Sequence, residues 1–191
     1  MANEFYALLS RMRHITRWGL MRNTFSENIQ EHSHQVAVLA HALALIRREI
    51  LGLEGPDPER CATAALYHDA SEILTGDLPT PIKYHDPEIR AAYKRVERLY
   101  GERLLALLPP ELRKHYEPFV LEDEPELEPI VKGADKLSAY EGLLCVYGRP
   151  DAQRRPALRN RIYGSFFLRE GHCFFRCGTD QQGPELRHQR S

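Results

Sequence analysis

Apolar residues recur at three- and four-residue intervals along most of this chain, a period that predicts helices rather than strands. Phe5, Leu8, Leu9, Met12 and Ile15 predict a short amphipathic helix over residues 4–16. Val36, Leu39, Leu43, Ile46 and Ile50 mark the longest helix, over residues 28–50, with these five as its buried stripe. Gly52 to Pro58 is a turn. A third helix is expected to run from Ala62 through His68-Asp69-Ala70-Ser71-Glu72 to Leu74, with Gly76 as its stop. Thr75 to Pro81 is a polar loop that its prolines stiffen. Asp86 as cap and Pro87 as first residue open a helix to about Leu108. Pro109-Pro110 ends it and starts a shorter one, with Leu112, Tyr116 and Phe119 on its apolar face. Glu122 to Glu128 reads as a solvated acidic loop, and Ile130 to Leu137 opens a last helix. The fold class predicted is all-α.

Several polar residues fall where this pattern calls for apolar ones. His32 lies four residues before Val36, at the N-terminal end of the expected stripe, whereas His34 and His41 lie on the far face. A histidine so placed is either a hydrogen-bonded core residue or a ligand. On a continuous helix His68 and Glu72 share a face one turn apart, with Asp69 three residues before Glu72. An imidazole and two carboxylates would then converge. Asp135 falls on or beside the apolar face of the last helix, where a lone ionised carboxylate is costly unless paired or metal-bound. Such a nitrogen and oxygen donor set suits manganese, cobalt, zinc or ferrous iron better than calcium. Arg17 and Trp18, the only tryptophan, stand together. Either the arginine packs on the indole, or the pair offers a guanidinium to phosphate and an aromatic face to a base or sugar. Asp77 either caps a turn or rims the same patch.

Composition narrows the picture. The 191 residues are 42% hydrophobic and 28% charged, as for one domain with a packed core. A net charge of −1 offers no field to draw a nucleic acid polymer or an anionic membrane. No apolar run approaches the ~20 residues of a membrane span. The first residues show no basic-then-apolar signal pattern, so a cytoplasmic protein is expected. The irregularly spaced Cys61, Cys145, Cys173 and Cys177 read as thiols. Character changes after about Gly142: all five lysines precede it and nine arginines follow it. Residues 1–147 are therefore expected to form the core domain, and 148–191 a poorly structured tail. There His172, Cys173 and Cys177 lack a fourth donor for zinc.

His32, then His68-Asp69, then Asp135, on separate helices, resembles the H…HD…D pattern of the HD-domain metal-dependent phosphohydrolases. Arg17-Trp18-Gly19-Leu20-Met21-Arg22-Asn23, Glu31-His32-Ser33, Tyr67 to Glu72 and Thr75 to Pro81 look like the bacterial YfbR-type 5′-deoxynucleotidases. The resemblance covers about residues 3–141. It implies an all-α HD-domain bundle that hydrolyses deoxyribonucleoside 5′-monophosphates to deoxynucleoside and phosphate. It assigns His32, His68, Asp69 and Asp135 to a divalent metal such as cobalt or manganese, with Asp69 and Asp135 also facing the substrate. It makes Glu72 the proton-handling residue and Arg17 the phosphate-orienting one. Trp18 packs against the deoxyribose, and Asp77, Leu78, Pro79 and Thr80 form the substrate loop. Members of the family are homodimers. The tail departs from the family's Glu-, Ala- and Leu-rich continuation, in the way an out-of-frame reading would. Two other functions fit the same residues. One is an HD phosphohydrolase for nucleoside di- or triphosphates or a signalling nucleotide; the other is a nucleotide-binding module whose catalysis the altered tail has impaired.

Overall fold

The structure is a computed structural model that describes residues 2–19, 26–83 and 85–147. The side chains of Ala2, Asn3, Thr80, Pro81 and residues 140–147 lie outside the described residues, as does the expected tail at 148–191. Helix α1 (Ala2–Leu9) tightens into a 3₁₀ turn at Ser10–His14. Helix α2 (Ile29–Leu45) starts from a capping box: Asn28 accepts from the backbone of Gln30 and Glu31, and Glu31 accepts from the Asn28 amide. Its end widens to π spacing, with the Leu51 amide donating to the Ile46 carbonyl at 3.1 Å. Asp57 caps α3 (Pro58–Tyr67) and Asp86 caps α6 (Pro87–Leu105), each with proline at the first position. Helices α7 (Pro110–Val120) and α8 (Glu128–Tyr147) follow, and the one-turn helices α4 (Glu72–Thr75) and α5 (Thr80–Lys83) flank the polar loop. Among the described residues there is no strand, only an antiparallel bridge between Thr16 and Asn28. None of their helices is long and apolar enough to cross a membrane.

Helix α2 packs against both α3 and α8. Its buried face is Ile29, His32, Ser33, Val36, Ala37, Ala40 and Ala44, which corrects the predicted stripe. Leu39, Leu43 and Ile46 are only half-buried, and Ile50 is 60% exposed. The physical reason is size: small side chains let neighbouring backbones approach, so the closest-packed face carries alanine rather than leucine. Helix α3 answers with Cys61, Ala64 and Ala65, and α8 with Ile130, Val131 and Ala134. His34 is exposed as expected, but His41 is half-buried. Burial pushes the Cys61 thiol up to about 11, so it is an inert core residue.

A second cluster joins Phe5, Met12, Ile29, Ala70, Ile73, Leu104, Leu105, Leu108 and Val120. Fully burying one of its larger side chains stabilises by roughly 1.5–3 kcal/mol. Tyr116 of α7 stands edge-on to Phe5 at 5.2 Å and to Tyr67 at 5.6 Å. Leu112, predicted on the same face, is 38% exposed, because the contact surface of α7 lies toward its C-terminal end. Gly101 lets α6 meet α7: a Cβ there would lie 2.7 Å from the Leu121 side chain. Tyr67 immediately precedes His68, so this aromatic cluster anchors the end of α3 from which the functional residues project. Along α2, His32 falls between Ile29 of this cluster and Val36 of the alanine-lined interface.

Candidate active site

The HD pair does not lie on a continuous helix, contrary to expectation. Helix α3 ends at Tyr67, α4 begins at Glu72, and residues 68–71 form a turn. The Ala70 amide donates to the Tyr67 carbonyl at 2.9 Å and the Glu72 amide to the Asp69 carbonyl at 3.0 Å, both at 3₁₀ spacing. Successive side chains therefore advance by about 120° rather than 100°. The alanine-rich run favours helix locally, but burial of Ala70, Glu72 and Ile73 at the end of the bundle overrides it.

His68 Nδ1–H donates to the Ala65 carbonyl at 2.7 Å, which fixes the tautomer and turns Nε2 toward the site. That Nε2 is buried without a hydrogen-bond partner. His32 is fully buried, with Nε2 3.0 Å from Asp135 Oδ1 and Nδ1 3.3 Å from the hydroxyl of buried Ser138. Asp135 and Ser138 share one face of α8, so a single helix contacts both ring nitrogens. Ligand atoms of His32, His68 and Asp135 all lie within 4.8 Å of one another. Asp69 joins them through Oδ2, 3.2 Å from His68 Nε2 and 3.8 Å from His32 Nε2. A buried imidazole nitrogen left unpaired costs about 1–3 kcal/mol. Coordination by a divalent ion removes that cost, and two imidazoles with two carboxylates are a donor set that such an ion accepts. These residues fit the metal that the sequence implies.

The electrostatics separate two carboxyl groups. For Asp135, burial works against ionisation, but the hydrogen bond from His32 and the neighbouring His68 and Arg17 hold its pKa down to about 2. For Glu72, burial and the nearby Asp69 and Asp77 push it up to about 9, against Lys83 and Arg17. Its Oε2 is buried with no partner. Glu72 is thus favoured in its neutral form where Asp135 is favoured in its ionised form, so two carboxyl groups of one site are pushed in opposite directions. Burial disfavours the His68 cation, yet Asp69 and Asp135 raise its pKa above the ordinary value.

The loop residues converge from two other segments. Arg17 packs on Trp18 and faces two carboxylates. The guanidinium lies 5.5 Å from the indole centroid, and it also pairs with Asp69 at 3.5 Å and Glu27 at 3.3 Å. Trp18 has φ of 64°, a left-handed backbone that is uncommon for a bulky residue. Asp77 accepts from the Trp18 amide at 3.3 Å, so it ties the two loops together across 59 positions. Gly76, with φ of 73°, turns the chain out of α4 and delivers Asp77. Leu78 and Pro79 are half-buried; the Pro79 carbonyl accepts from the Ile82 and Lys83 amides and so starts α5. The Thr80 side chain and Leu20 to Asn23 lie outside the described residues.

A cavity of about 160 Å³ adjoins His68, Asp69 and Asp135 and is lined also by Lys83, Lys94 and Lys132. None of Arg17, Trp18 or residues 77–79 lines it. Sequence reasoning passed over Glu27 and Ser138, which contact His32 from outside the ligand set. The Asn28-x-x-Glu31 capping signature was the available signal that α2 begins immediately after Glu27.

Known proteins resemble this chain. The model of the family described as 5′-deoxynucleotidase YfbR-like matches residues 4–146. A 5′-deoxynucleotidase of Vibrio cholerae serotype O1 is 52% identical over 140 residues, 72% of each chain. Another, yfbR of Photorhabdus temperata, is 51% identical over 142 residues, covering 72% of this chain and 71% of that one. An HD-domain phosphohydrolase of Listeria innocua has the same fold, with a TM-score of 0.66 at 23% identity over 78% of this chain and 72% of that chain. The HD phosphohydrolase DatZ of cyanophage S-2L, solved with dA and one catalytic Zn²⁺, matches with a TM-score of 0.50 at 30% identity. It is covered over 66% of its chain, and this chain over 70%. With His32 of α2, His68 of the turn after α3 and Asp135 of α8 brought together, and with relatives half identical over most of its length, the chain belongs to the 5′-deoxynucleotidase YfbR-like family of HD-domain proteins.

Proposed function

We propose that this protein hydrolyses deoxyribonucleoside 5′-monophosphates to deoxynucleoside and phosphate, using a divalent ion held by His32, His68, Asp69 and Asp135. The observation that carries the reading is the buried, unpartnered His68 Nε2 within a set of ligand atoms no more than 4.8 Å apart. The names of the curated relatives and the dA held by DatZ support the substrate class. Such an ion polarises a phosphoryl oxygen and lowers the pKa of bound water. The protein's own residues supply position and charge, which carry most of the rate in phosphoryl transfer. Arg17 gives its guanidinium to the 5′-phosphate. Glu72, protonated at neutral pH, donates its proton to the 5′-oxygen as the phosphorus–oxygen bond breaks. Trp18 forms a wall on the sugar that excludes a 2′-hydroxyl, and Asp77 to Thr80 close the nucleotide's other side. The resemblance favours cobalt or manganese, a cytoplasmic location and a homodimer.

A second reading, hydrolysis of a nucleoside di- or triphosphate, is favoured by the lysine-lined cavity beside the ligands. Against it, Lys83 and Lys132 are already paired with Glu97 and Glu128. Phosphate release from dAMP, AMP and dATP, with and without cobalt, separates them. Cobalt-dependent release from dAMP alone is the expected result. Release from dATP would establish the second reading, and metal binding without turnover of any of the three would leave a binding module.

A further inference from the structure

Glu27 is assigned no role by the family resemblance, yet three of the residues discussed above meet its carboxylate. Oε2 accepts from the Trp18 indole Nε1–H at 2.7 Å and lies 3.3 Å from Arg17 Nε. Oε1 lies 3.8 Å from His32 Nδ1. The Glu27 carbonyl also accepts from the Arg17 amide at 2.8 Å, next to the bridge that pairs Thr16 with Asn28. A loop residue would need few of these contacts merely to close a turn.

We infer that Glu27 is a positioning residue, which aims Arg17 at the phosphate and fixes the Trp18 wall against the sugar. The inference rests on the deoxynucleotidase reading and deepens it. Trp18 is held from two directions: Asp77 takes its backbone amide and Glu27 its indole. Its left-handed backbone persists only where the surroundings over-determine it. Arg17 lies between two carboxylates, with Glu27 3.3 Å from Nε and Asp69 3.5 Å from Nη1, both ion pairs without a hydrogen bond to Nε. Without Glu27 the guanidinium keeps Asp69 as its one carboxylate among the described residues and turns onto a metal ligand instead of outward to a phosphate. One carboxylate thereby couples phosphate affinity to sugar selectivity.

Glutamine at this position separates the two tasks, since its carbonyl still accepts the indole N–H but carries no charge for Arg17. Glu27→Gln is expected to lower kcat/KM for dAMP and AMP alike, by roughly 10- to 100-fold. The dAMP-to-AMP ratio should hold, as should the emission maximum of the single tryptophan. Glu27→Ala is expected to lose both: kcat/KM falls, the ratio narrows several-fold, and Trp18 emission shifts to the red with greater quenching by acrylamide. Circular dichroism and urea midpoints identify a variant that fails to fold. If the alanine variant does not fold, the glutamine variant decides alone, a uniform kcat/KM loss supporting the role and wild-type kinetics overturning it. Wild-type ratio and emission in a folded Glu27→Ala would also overturn it. The fluorescence arm needs no turnover. A wild-type protein inactive on dAMP would therefore sink the deoxynucleotidase reading, while the emission comparison would still decide whether Glu27 holds Trp18.

Discussion

His32, His68 and Asp135 are set by helices packed on one another, whereas Arg17, Trp18 and Asp77 are set by loops that hold one another. In the first group backbone position comes from buried alanine-lined interfaces and from caps, and each side chain needs only one further contact to be aimed. In the second group the backbone is irregular or left-handed, and geometry depends on single hydrogen bonds reaching across 9 and 59 positions. The difference suggests a division of labour. The helical half carries the candidate metal ligands, and the loop half carries the residues that the proposed function sets against the substrate, so the two can be altered separately.

That division can be broken most severely from the helical side. His68→Ala should abolish metal loading and turnover together, read as metal content after dialysis and as phosphate release. Stripping the wild-type protein with a chelator should lower its thermal midpoint, and restoring cobalt should recover it, because a ligand bound only to the folded state stabilises it. A His68→Ala protein that still holds stoichiometric metal would remove this residue from the ligand set.

Glu72 belongs to the helical half by position, and the proposed function makes it the proton donor. Glu72→Gln should keep metal and substrate while losing roughly 10²–10⁴ in kcat. Its carboxyl stays protonated in the folded state up to about pH 9, whereas in the unfolded chain it ionises near the ordinary value of 4.5. Between those values the unfolded state holds fewer protons, so this residue's contribution to stability falls as pH rises. Urea midpoints of the wild type should therefore decline across that window more steeply than those of Glu72→Gln. Parallel pH profiles would mean that the carboxyl is ionised in the folded protein.

Smaller effects are expected from the loops. Arg17→Ala should weaken dAMP and AMP equally, by about 10- to 100-fold in kcat/KM, because both carry the same phosphate. Trp18→Ala should narrow the dAMP preference with metal loading unchanged; an unchanged ratio would make the indole a packing residue. The mildest change is Gly76→Ala. A Cβ there meets nothing within 4 Å, so only the backbone opposes it: φ 73° with ψ 166° is held almost entirely by glycine, at about 1–3 kcal/mol in a denaturation curve.

The helical half was largely legible in the sequence. His32 interrupts a 3.6-residue pattern, proline and aspartate mark the starts of α3 and α6, and Asp135 sits where a carboxylate needs a partner. The errors within it have physical causes. The close-packed face of α2 is made of alanines, which a search for large apolar residues does not weigh. The turn at 68–71 keeps helix-like dihedrals at both ends, so propensity alone extends the helix through it. The loop half was legible only as residues resembling a family. Nothing in the spacing of Glu27, Trp18 and Asp77 signals that they meet, since their contacts follow from a left-handed backbone and from long-range bonds rather than from any local period.

His32 and Asp135 are separated by 103 positions. Contacts at such separation must close a long loop before they gain anything, and they tend to form late in folding. A chain growing at about 5–20 residues per second leaves His32 waiting roughly 5–20 s for its α8 partner to be made. During that interval the nascent protein has two histidines and one aspartate of the set, on a surface that lacks the helix meant to cover them. Metal loading then depends on completed synthesis, and a ribosome stalled before Asp135 should release a chain that neither binds the ion tightly nor draws on the cell's supply of it.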